Sequence, residues 1–144
     1  MDKPKLTTER GQSLVELAVT LTILLILLAG TVDFGRAFFV WLTLRDAAQE
    51  GAAYGSIDPT NEAEIKERVY NILERSNNIP NPRVNVNVDP DLIGPACLGN
   101  TIQLYVDYAN FPLTMPFLGT ILGRDTLSIH ATVKDTILRP ACGK

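Results

Sequence analysis

The chain has 144 residues, 46% of them hydrophobic and 20% charged, with a formal net charge of −3. That balance belongs to a folded chain with room for one modest core, and its acidic sign gives a nucleic acid nothing to bind. The two cysteines form no CxxC pair and His130 is the single histidine, so a site of four Cys/His zinc ligands falls short, and no cofactor is implied.

In chain order, MDKPKLTTERG (residues 1–11) is polar and carries Lys3, Lys5 and Arg10. Residues 12–32 follow as a run whose only charged member is Glu16, with Thr20 and Thr22 as the other polar residues between Leu14 and Ala29. As a helix this run spans about 31 Å, the thickness of a bilayer core. The basic residues before it favour a cytoplasmic N-terminus, with all later residues outside. A carboxylate in hydrocarbon costs several kcal/mol, which makes Glu16 a functional hypothesis by default.

The helical pattern continues through DFGRAFFVWLTLRDAAQEGAAYGS, which has no proline. Phe34, Phe38, Trp41, Leu42 and Ala48 can share one apolar face, and Phe38, Phe39 and Trp41 stand where an aromatic belt belongs. Ala47, Ala48, Gly51, Ala52 and Gly55 form a stripe of small residues that lets another backbone approach. Asp58-Pro59 ends the helix, so one helix of about 45 residues is expected, with Gly30 and Gly35 as soft points. Asp33 and Arg36 can pair within the chain or serve as a subunit contact. Gly51 can pack on the chain's own sheet or line a seam between subunits.

A second, amphipathic helix is expected over residues 60–76, with Ile65, Val69, Ile72 and Leu73 buried and Glu62 and Glu64 in its first turn. After Ile79-Pro80-Asn81-Pro82 the period becomes two. RVNVNVD turns Val84, Val86 and Val88 to one face. TIQLYVDYA turns Ile102, Leu104, Val106 and Tyr108 inward, and TLSIHATVKD does the same with Leu127, Ile129, Ala131 and Val133. These read as three half-buried antiparallel strands. His130 then faces solvent. Between the last two strands, FPLTMPFLGTILG (residues 111–123) is too apolar for an ordinary loop. It either caps the sheet or, through Phe117 and its neighbours, meets a membrane or another subunit. The fold class is therefore α+β: a long transmembrane and stalk helix, a second helix and a small three-stranded sheet.

Three readings fit the N-terminal segment: an uncleaved anchor, a removable secretory signal, and a prepilin-type leader. Gly11-Gln12-Ser13-Leu14-Val15-Glu16 after a short basic leader resembles the type IV prepilin cleavage motif, which implies a cut between Gly11 and Gln12 and puts Glu16 fifth in the mature chain. An amine made by that cut would be neutralised by a neighbouring Glu16, and such a pair is strong in low dielectric. The whole stretch from Gly11 to Ser56 resembles TadE-like proteins, pilin-like components of the tight-adherence (Flp) pilus and secretion machinery. Gly11–Leu17, Asp33–Arg36 and Ala48–Tyr54 carry that resemblance, with Ala53 where an arginine is common.

The resemblance implies a pseudopilin or minor pilin in the cytoplasmic (inner) membrane, its head outside. Its implied partners are a prepilin peptidase, other pilin-like subunits, and an assembly platform with its ATPase; no catalysis is implied. On this reading residues 1–11 are leader, 12–32 membrane segment, 33–57 outer helix and 58–144 head. The competing class is a membrane-anchored binding domain that does not polymerise. Cys97 and Cys142, in an exported domain, are expected to be bridged, with two free thiols as the alternative.

Overall fold

The computed structural model describes residues 9–114 and 123–139. Helix α1 runs unbroken from Glu9–Gly55, through both glycines expected to soften it. Helix α2 follows as Glu62–Ser76, a short turn of helix α3 as Pro82–Asn85, then strands β1 (Val86–Ile93), β2 (Thr101–Pro112) and β3 (Thr126–Thr136). The strands form one antiparallel sheet in the order β1-β2-β3. The expected α+β class is the observed one.

Helix α2 starts later than expected because Asn61 is its cap: the Asn61 side chain accepts from the Glu64 N–H at 3.3 Å. Asn77, at φ 54°, closes it in the left-handed conformation. Ile65, Val69 and Leu73 are buried and Ile72 half-buried. The second half of α1 lies against both α2 and the sheet. A Cβ on Gly51 would stand 2.6 Å from Val69 of α2 and 2.6 Å from Leu104 of β2; glycine is what allows the approach.

Ile102, Leu104, Val106 and Tyr108 of β2 are buried as their alternation requires. Two strand expectations need correction. Val84 does not share a face with Val86 and Val88: it lies in α3 and is 84% exposed, because Pro82 at the first helical position closes a turn there. Of the inward set on β3, Ala131 is buried, Ile129 and Val133 are half-buried, and Leu127 is exposed. Leu127 sits beyond an irregularity in the β2–β3 register between Tyr108 and Phe111. That irregularity returns Phe111 to the core after two exposed residues, and the end of β2 is thereby carried towards α1.

Candidate functional site

Helix α1 has two environments along its length. From Gly11 to Val32 no residue is buried, and the large aliphatic side chains, such as Leu14, Leu21 and Leu28, stand exposed. Thr20, Thr22 and Thr31 each donate their hydroxyl to the carbonyl four residues earlier, at 2.8 Å, so their polarity is satisfied within the helix. This apolar stretch is long enough to cross a membrane. Gly11, Gln12 and Glu16 lie on its exposed surface.

From Gly11 onward, Asp33 is the first buried residue of the helix, at 5% exposure. Its carboxylate accepts the Thr114 N–H at 2.9 Å and the Thr114 hydroxyl. Arg36 donates to the same carboxylate at 3.2 Å and to the Thr114 hydroxyl at 3.1 Å, with its guanidinium 5.3 Å from the centre of the Phe111 ring. A buried carboxylate needs such partners. The Asp33–Arg36 pair is thus made within the chain, and together the two residues hold the start of the β2–β3 connection against α1. Thr114 was missed by sequence reasoning. Nothing local marks it, since its partner lies on another element 81 residues away.

Past Asp33 the buried face comprises Val40, Leu44, Ala47, Ala48 and Ala52. Phe34, Phe38 and Trp41, expected to share an apolar face with Leu42 and Ala48, are exposed, with Leu42 half-buried. Phe38 stacks on Trp41 with ring centres 6.1 Å apart, and the Arg45 guanidinium lies 5.7 Å from the Trp41 ring. Gly51 faces the chain's own core.

Cys97 is in the connection between β1 and β2; Cys142 and Phe117 lie outside the described residues. An open cleft of about 510 Å³ is lined by Arg36, Phe39, Val40, Asn77, Asn78 and Phe111. Among the described residues, no group of three or more His, Cys, Asp or Glu is placed to hold a metal ion.

On the head, Arg83 donates to Glu67 at 2.8 and 2.9 Å and to Glu74 at 2.6 Å. The hydrogen bond from Arg83 is the main cause holding the Glu67 carboxyl below its ordinary range, and the two carboxylates raise Arg83 in turn. This cluster fastens α3 to α2.

Residues 11–53 match the family model described as TadE-like protein. The match covers the N-terminal third of the chain. No curated protein matches the chain, and no solved structure does. The TadE-like match covers the bare half of α1, the Asp33–Arg36 pair and the small-residue stripe as far as Ala52, and stops before α2. It suggests a pilin-like protein associated with the Tad pilus, with other pilus components as partners.

Proposed function

We propose that this chain is a pilin-like structural subunit, a pseudopilin or minor pilin of a Tad/Flp-type pilus or secretion apparatus. The observation that carries the reading is the division of α1: an apolar half bare on every side runs without a break into a half that forms the spine of a small α+β head. A subunit that moves from bilayer to fibre needs a single rigid element reaching from one to the other. On this reading residues 1–11 are a leader removed by a prepilin peptidase between Gly11 and Gln12. Residues 12–32 lie in the cytoplasmic membrane, residues 33–57 continue the helix outside, and residues 58–144 make the head. Glu16 pairs with the new amine of a neighbouring subunit, and an assembly platform with its ATPase drives the polymer.

The test is the N-terminal residue of the native protein purified from membranes or fibres. A chain starting at Gln12, with Gly11→Leu left as a precursor longer by the leader, is the expected result. Wild-type protein that retains Met1 in cells making the fibre would return the chain to a simple anchored binding domain.

A further inference from the structure

Four aromatic residues lie within two turns of α1, just past the membrane run: Phe34, Phe38, Phe39 and Trp41. They are 74%, 47%, 63% and 36% exposed, in a helix whose opposite side is packed against the head. At roughly 100° per residue, they cover an arc of about 160° around the helix but only some 10 Å along it. A seam for another helix would be a narrow stripe extended along the axis, repeating every three to four residues. The arrangement here is the reverse, a band wrapped around the axis. On the side the four leave open, Phe111 from the end of β2 lies under the Arg36 guanidinium. That side of the helix is covered by the head, with Phe111 buried in its core.

The height of the band fits one environment. Phe34, Phe38, Phe39 and Trp41 stand about 3, 9, 11 and 14 Å beyond Val32, the last residue of the apolar run. The polar layer on each side of a bilayer is roughly 5–8 Å deep. Helical side chains lean back over the preceding turn, and Trp41 stacks on Phe38. Arg45 puts its guanidinium over the Trp41 ring, and Arg36, about 14 Å nearer the membrane run along the axis, keeps its own over Phe111; arginines placed beside such a run can reach lipid phosphates. Phe and Trp rings flanked by arginine are the chemistry of the layer between hydrocarbon and water.

The geometry points to a membrane-interface collar, in which Phe34, Phe38, Phe39 and Trp41, with Arg36 and Arg45, bind the headgroup layer of the outer leaflet and fix the depth of the subunit. This rests on the membrane reading above and adds to it. The head is then not free on a stalk: Asp33 and Thr114 hold the β2–β3 end of the sheet down at the lipid surface.

Trp41 is the chain's single tryptophan, so its emission reports the collar alone. The full chain is incorporated into phosphatidylcholine vesicles, and flotation first establishes that it is bound. Trp41 emission is then measured with phosphatidylcholines brominated either close to the headgroup or near the chain end, and with aqueous acrylamide. The expected result is a blue-shifted emission, quenched more by shallow than by deep bromine, shielded from acrylamide, and unchanged as the protein-to-lipid ratio is lowered. Chain that floats while Trp41 stays open to acrylamide and untouched by either bromolipid overturns the collar and leaves the membrane reading standing. A chain that does not float overturns both. Shielding that vanishes on dilution in lipid assigns the aromatics to a second copy and also refutes the collar.

Discussion

Replacing Gly51 with alanine puts a Cβ 2.6 Å from Leu104 Cδ2 and 2.6 Å from Val69 Cγ2, whereas an alanine at Gly35, earlier on the same helix, meets nothing within 4 Å. Both substitutions gain the helix propensity of alanine over glycine, about 1 kcal/mol. In the difference between the two variants that gain cancels, and what remains is the cost of overpacking at Gly51. Both contacted atoms end side chains, but Leu104 and Val69 are fully buried and have no free volume to move into. Overpacking of this kind costs about 1–3 kcal/mol. Gly35→Ala is therefore expected to be stabilising by up to about 1 kcal/mol, and Gly51→Ala to fall about 1–3 kcal/mol below it. Hydrogen exchange of the full chain in detergent micelles, read at the β2 amides of Leu104 and Val106, measures both against wild type. Equal protection in the two variants would refute the packing of α1 between α2 and β2, and would send the small-residue stripe back to a role between subunits.

Asp33→Ala leaves the Thr114 N–H without its carboxylate partner, and the loss is expected to be about 1.5–3 kcal/mol; exchange at Leu113 and Thr114 should rise while β1 is unchanged. Because the Glu67 carboxyl is held low by Arg83, its contribution is full above the ordinary carboxylate value and disappears as pH falls through the lowered one. Glu67→Gln should accordingly flatten the acid limb of the stability profile, an effect that salt weakens because the pair is exposed. For Cys97 and Cys142, the expected bridge closes a loop of about 46 residues, worth roughly 4 kcal/mol in the chain-entropy model. The route is short, since Gly99 donates to the Ile137 carbonyl at 2.9 Å and Ile137 to that of Asn100 at 2.8 Å; two alkylatable thiols in the folded, exported protein would exclude it.

Much of the fold is legible in the sequence because its elements repeat. Ile102, Leu104, Val106 and Tyr108 alternate so cleanly that β2 could have no other inner face, and Ala47, Gly51 and Gly55 mark where α1 is approached. The reading fails where two apolar environments compete. Phe34, Phe38 and Trp41 were as good a candidate for a buried face as Val40, Leu44 and Ala47, because periodicity registers a shared face and not what covers it. It fails again at Val84, where the alternation ran on into a residue governed by Pro82. It stopped short at β1, which continues through Pro90 to Ile93. Proline is tolerated there because β1 is an edge strand and that N–H has no neighbour to serve. The Asp33 site was half visible: the carboxylate and its arginine are local, while Thr114 comes from another element.

On the proposed function, the bare half of α1 is what holds the subunit in a membrane. Each large aliphatic side chain moved out of water is worth about 1.5–3 kcal/mol, and the exposed run contains enough of them, from Leu14 to Val32, to exceed the whole stability of a small head, about 5–15 kcal/mol. The same term cannot drive assembly, because lipid tails are as apolar as a neighbour's leucines and the exchange between them is close to neutral. On the proposed function, assembly turns on the group whose surroundings differ in the two states, and in this run that group is Glu16. In lipid its carboxylate has no partner and costs several kcal/mol; beside the amine of a processed neighbour it has one. Glu16→Ala should insert and be cleaved as wild type does, or more readily, and yet fail to enter fibres. Membrane fractionation with N-terminal sequencing separates the first two steps, and fibre yield reads the third. Wild-type fibre yield from the alanine variant would mean that helix packing alone drives assembly and that Glu16 takes no part in it.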